Sequence, residues 1–142
     1  MRYAKRTTVS PEKSRAEIER IVLGYKATQF GTAFDNEGGR AMIQFCIGKK
    51  TVRFLLPLKD QYADGSSRQL SEQDIRQRWR ALVLAIKAKL EAVECNISTF
   101  EDEFLSHIVM PDGRTVGEHV VPAIEKAIAD GHMPHKLLEF HE

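Results

Sequence analysis

Residues 28–58 read TQFGTAFDNEGGRAMIQFCIGKKTVRFLLPL, and the period of two in this stretch decides the fold. Phe30, Thr32 and Phe34 fall on one side of an extended chain, followed by Ala41, Ile43, Phe45 and Ile47, then by Val52, Phe54, Leu56 and Leu58. Successive side chains of a strand point to opposite faces, so this alternation marks three strands with one buried side. Asn36-Glu37-Gly38-Gly39 and Gly48-Lys49-Lys50 supply the glycines that tight hairpin turns require, which makes the three strands an antiparallel meander. The other face carries Arg40, Gln44, Cys46, Thr51 and Arg53, a mixture that predicts partial exposure. Pro57 has no N–H to give a ladder and belongs at an edge or a strand end.

Upstream, Ser10-Pro11-Glu12 combines an N-cap, a proline at the first helical position and an acid in the first turn. The helix it opens has one apolar face, Ile18, Ile21, Val22 and Tyr25, and ends near residues 24–26. Downstream, residues 57–70 read as a polar, mobile loop. Ser71 with Asp74 caps the longest helix, whose core face is Ile75, Trp79, Leu82, Val83, Ile86, Leu90, Val93 and Ile97. That stripe covers the apolar side of the meander. Its opposite side holds Ala81, Ala85, Ala88 and Ala92, which are either exposed residues chosen for helix propensity or a face for a second helix, including one from another copy of the chain.

The last third is helical. Ser98 with Glu101, and Thr99 with Asp102, are overlapping caps for a short helix bearing Phe100, Phe104, Leu105 and Ile108. Thr115 with Glu118 opens another, carrying Val116, Val120, Ile124 and Ile128, which Pro122 is expected to interrupt. Leu137, Leu138 and Phe140 lie in the tail. The fold class is therefore α+β. One domain spans residues 1–142, with a basic αβββα part over 1–97 and an acidic helical part over 98–142. The 142 residues suit a single core, and no apolar stretch approaches the roughly 20 residues that cross a bilayer. The basic start, residues 1–6, has no apolar segment behind it, which points to a cytoplasmic protein. Cys46 and Cys95 read as two small hydrophobes.

Formal charge is +1, but its signs segregate. Residues 1–90 hold 18 Lys/Arg against 9 Asp/Glu, a net +9, and residues 91–142 hold 3 against 11, a net −8. Such a field bears on partners. On the long helix Arg76, Arg80 and Lys87 lie within about 40° of one another, and Arg78 and Lys89 form a second line. With the arm residues Arg2, Lys5 and Arg6, and Tyr3 among them, they compose a candidate phosphate-binding surface, to which Arg40, Lys49, Lys50 and Arg53 could add. Tyr3, Phe34 and Tyr62 are the aromatic residues available for stacking on bases.

Signals for catalysis are missing. Gly38-Gly39 and Gly48 sit at hairpin turns and do not open a helix, so no phosphate loop is present. No serine nucleophile elbow occurs. His107, His119, His132, His135 and His141 crowd the last third, yet their spacing matches no closed zinc pattern. No catalytic residue, metal or cofactor is expected. The helix–three strands–helix order is also that of double-stranded RNA-binding domains, but those open their second helix with lysines where this chain has Ser71-Glu72-Gln73-Asp74.

Three stretches carry a resemblance: residues 1–20, from Met1-Arg2-Tyr3-Ala4-Lys5-Arg6 to Glu19-Arg20; residues 78–94, from Arg78-Trp79-Arg80 to Val93-Glu94; and residues 97–116, from Ile97-Ser98-Thr99-Phe100 to Thr115-Val116. They are similar to a family of small, largely uncharacterised bacteriophage proteins. The chain departs from it at Gly24-Tyr25-Lys26-Ala27 and after Pro57. The resemblance implies a phage gene expressed in the bacterial host cytoplasm and transfers no active site. Together with the basic surface it gives the expectation of a non-catalytic accessory protein that binds nucleic acid through Arg2, Lys5, Arg6, Arg76, Arg80 and Lys87. The alternative is an anti-defence factor that inhibits a bacterial immune protein or sequesters a nucleotide signal. Partners are then nucleic acid or a host protein, with no membrane, and the Ala81, Ala85, Ala88, Ala92 stripe is the face for a homo-oligomer.

Overall fold

The meander forms as its alternating pattern predicts. In the computed structural model, which describes residues 4–134, β1 (Ala27–Asp35), β2 (Arg40–Ile47) and β3 (Lys50–Pro57) pair antiparallel in the order β1-β2-β3. Phe30 lies opposite Phe45 and Thr32 opposite Ile43, while Phe45 and Ile43 face Val52 and Phe54 on the other side. Ala41, Ile43, Phe45, Val52, Phe54 and Leu56 are buried, whereas Phe34 at the far end of β1 is 62% exposed. The helix layer does not reach that corner.

Two helices cover the sheet. In α1 (Pro11–Gly24), Ser10 Oγ accepts from Lys13 N, and Ile18 and Val22 are fully buried. In α2 (Glu72–Glu94), Ser71 Oγ accepts from Asp74 N, and Trp79, Leu82, Val83, Ile86 and Leu90 form the core stripe. Each such side chain stabilises the fold by about 1.5–3 kcal/mol when fully buried, so this layer is the main folding term. Gln73 touches Thr7, Arg80 touches Glu17 and Tyr25 touches Glu94. The three contacts run in the same order along both segments, so α1 and α2 are parallel. Ile97 lies beyond the end of α2 and is 80% exposed, because the helix stops at Glu94. Ala81, Ala85 and Ala88 are exposed, and no described helix covers them.

Residues 57–70 differ from the expected mobile loop: they hold a small hairpin, β4 (Lys59–Gln61) paired with β5 (Ser67–Gln69). Asp60 accepts from both Arg68 and Arg78 at 2.6 Å, and Leu58 and Leu70 are buried at its base. A partner 18 residues away in α2 supplies this order, and local polarity gave no sign of it.

The C-terminal third joins the sheet through an aromatic wedge. Thr99 caps α3 (Phe100–Phe104), and Phe104 is fully buried with its ring edge-on to Phe45 and Phe54 at 6.0 and 6.2 Å. Leu105–His107 form a 3-10 turn, and Ile108, expected in the helix, instead bridges Val52 at the β3 edge. Helix α4 (Val116–Asp130) starts with a full Thr115/Glu118 capping box and continues through Pro122 without interruption. Proline removes the N–H that would bond the Glu118 carbonyl, and the Arg114 guanidinium donates to that oxygen at 3.0 Å in its place. Gly117 lies against Ser106, where a Cβ would come within 2.8 Å of the Ser106 carbonyl. No residue of α4 is buried. Among the described residues no helix is long and apolar enough to cross a membrane. Leu137, Leu138 and Phe140 lie outside the described residues.

Candidate nucleic-acid interface

The basic residues of the arm and of α2 meet at one side chain, Gln73. It stands in the first turn of α2 because Ser71 fixes the helix start, and it faces back toward the segment before α1. Its amide nitrogen donates to the Lys5 carbonyl at 3.3 Å and to the Thr7 carbonyl at 2.9 Å. Its amide oxygen accepts from Arg76 Nε at 3.2 Å and from the Arg76 terminal nitrogen at 2.6 Å. Ala4 is buried beneath, and Thr7 N donates to the Ala4 carbonyl, so residues 4–7 form an anchored turn from which the Lys5 and Arg6 side chains stand exposed. Three cations, Lys5, Arg6 and Arg76, are thus assembled from two distant segments. Glu72, the nearest acid, is 4.0 Å from Arg76 with its side chain 95% exposed, an arrangement worth little in water. Arg2 and Tyr3 lie outside the described residues.

Further along the α1–α2 seam the predicted residues divide. Arg80 donates to Glu17, with both side chains about three-quarters buried, and this pair fastens the two helices together. Its guanidinium, expected to contact phosphate, is paired within the fold because α1 runs alongside and sets Glu17 opposite. Lys87 is exposed and has no ion pair among the described residues. Lys13 and Arg20 on α1, not singled out in the sequence, are also exposed, and at 100° per residue they lie within about 20° of each other beside Glu17. Their seven-residue spacing was visible; that it flanks the same seam as Arg76 and Lys87 depends on the helix pairing. The seam ends in acid, with Glu94 accepting from Tyr25 Oη at 2.7 Å and pushing that phenol up to about 12.

The second basic line has structural employment. Arg78 donates to the Pro57 carbonyl at 2.7 Å and to Asp60, whose carboxyl is held below the usual range first by Arg78 and then by Arg68. Lys89 donates to the Glu103 carbonyl at 2.9 Å and sits over the Phe104 ring. Three of the four hairpin cations are engaged too, Arg40 with Asp35, Lys50 with Glu101 at 2.7 Å, and Arg53 with Gln44 and the Gly113 carbonyl, whereas Lys49 is exposed and has no ion pair among the described residues. Here the acidic third does fold onto basic residues. Among the described residues it makes no ion pair with Lys5, Arg6, Arg76 or Lys87. Phe34 and Tyr62 are exposed, but at the sheet corner and the hairpin.

A recess of about 250 Å³ on the β1–β2 side is lined by Gln29, Phe30, Gly31, Thr32, Met42, Gln44, Phe45 and Thr51, and so presents no acid, base or thiol. Among the described residues no group of three or more His, Cys, Asp or Glu could hold a metal ion. His119 Nε2 lies 2.7 Å from Asp112, and the His107 ring stacks on Phe54 with centroids 4.0 Å apart. His135 and His141 lie outside the described residues. No family model, curated protein or solved structure matches this chain.

Proposed function

We propose that this chain is a non-catalytic accessory protein of phage origin that binds nucleic acid through the α1–α2 seam. Lys5, Arg6 and Arg76 form the centre of the contact, and Lys13, Arg20 and Lys87 extend it. The observation that carries this reading is the Gln73 clamp. An uncharged side chain uses both ends of its amide to hold a basic arm and a basic helix residue side by side, which pre-organises cations for an anionic chain. Ordering charges before binding removes part of the entropy that a flexible arm would lose on contact. Arg80 orients the helices and adds to the field without meeting phosphate.

Filter binding with duplex and single-stranded DNA and RNA at two salt concentrations tests it. Each neutralised phosphate contributes a slope of about −0.9 in log K against log salt for duplex and about −0.7 for single strands, so replacing Arg76 by alanine lowers the slope by about one contact. Absence of binding to all four probes at low salt overturns the proposal.

A further inference from the structure

The sheet has two edges, and the described residues cover only one of them. Along β3, Ile108 bridges Val52, Val109 N donates to the Thr51 carbonyl at 2.8 Å, and Pro57 closes the strand. Along the outer edge of β1, nine residues long, no described residue pairs. Natural edge strands are usually blunted by proline, lysine, a bulge or brevity. Residues 27–35 contain no proline, lysine or arginine, and the one irregularity lies at the start, between Ala27 and Gln29. The same strand exposes Thr32 and leaves Phe34 62% exposed on the side that faces the core elsewhere.

We propose that β1 pairs antiparallel with β1 of a second copy, about a two-fold axis at Thr32, to give a continuous six-stranded sheet. The sequence is self-complementary in this register. Thr32 lies opposite Thr32, and Phe30 of each copy lies opposite Phe34 of the other, which are threonine and aromatic cross-strand pairs of the stabilising kind. Gly31, with open space around its Cα, meets Ala33. A shift by one residue would turn Phe34 to the wrong face, and moving the axis to Gly31 or Ala33 would part Phe30 from Phe34, so parity and the aromatic pair together select this alignment. The even-numbered face of β1 then carries the helix layers of both copies on one side of the joined sheet. A single strand pair is a small interface, so assembly depends on chain concentration.

Sedimentation of the full chain over a concentration series, with circular dichroism alongside, decides it. The expected result is a rise from one-chain to two-chain mass. Thr32→Lys, which sets two ammonium groups face to face, and independently Phe34→Lys, hold the mass at one chain with the spectrum unchanged. A one-chain mass throughout the series overturns the proposal. So does a dimer that survives both lysine variants, including one lost only in Ala85→Glu with Ala88→Glu, which would place the contact on α2.

Discussion

Replacing Gln73 by alanine separates pre-organisation from charge. The substitution removes two hydrogen bonds to the arm, at 2.9 and 3.3 Å, and the acceptor for Arg76, yet leaves every charge in place. A typical intramolecular hydrogen bond contributes about 0.5–1.5 kcal/mol net. The two arm bonds therefore hold residues 5–7 with about 2 kcal/mol, and the whole variant loses about 1–3 kcal/mol of stability, because water can replace part of what is lost at this half-exposed site. In urea the midpoint falls while the slope of free energy against denaturant stays constant, since the buried core is untouched. For nucleic acid the clamp energy bounds the effect, and about 2 kcal/mol corresponds to a fall in affinity of at most about thirtyfold. The salt slope is unchanged, because Lys5, Arg6 and Arg76 still displace counterions once bound. Arg76→Ala behaves in the opposite way, changing the slope. Affinity for Gln73→Ala equal to that of the parent chain would show that the arm is not part of the contact, and a slope reduced as far as in Arg76→Ala would show that the clamp does not act by ordering alone.

Three further outcomes follow from the packing. Ser14 is fully buried in α1 and its hydroxyl has no hydrogen-bond partner among the described residues, so Ser14→Ala stabilises the chain by about 0.5–1 kcal/mol in a urea melt; a loss of stability would show that the hydroxyl is bonded. Burial against Phe54 holds the His107 imidazole below its ordinary value, opposed by a backbone hydrogen bond with Arg53 and reinforced by the charge of Lys89. The unfolded chain then takes up that proton more readily than the folded one, so stability is complete above about pH 6.5 and declines as the pH falls below it. His107→Phe keeps the stacked ring and removes that part of the decline; an identical profile between about pH 5.5 and 6.5 in the variant refutes the assignment. Pro122→Ala restores an N–H for the Glu118 carbonyl and stabilises α4 by about 1–2 kcal/mol, seen as greater amide-exchange protection at residues 118–126, whereas unchanged protection would mean that the Arg114 guanidinium replaces the missing bond in full.

What the sequence determined by itself is local. The period of two in residues 28–58 set three antiparallel strands, and Ser10, Ser71, Thr99 and Thr115 marked four helix starts that the structure keeps. These features depend on neighbours within a turn of helix or across a short hairpin, which a linear pattern records. The tertiary structure decided which cations are free. Arg78, in the second basic line of α2, is taken up by Asp60 from the small hairpin, Arg80 by a carboxylate 63 residues earlier, and Lys5 joins Arg76 through a glutamine 68 residues later. The hairpin at residues 59–69 became ordered by the same Asp60 contacts. An arginine's availability depends on the acceptors within about 4 Å of it, and when those come from distant segments only the packed chain specifies them.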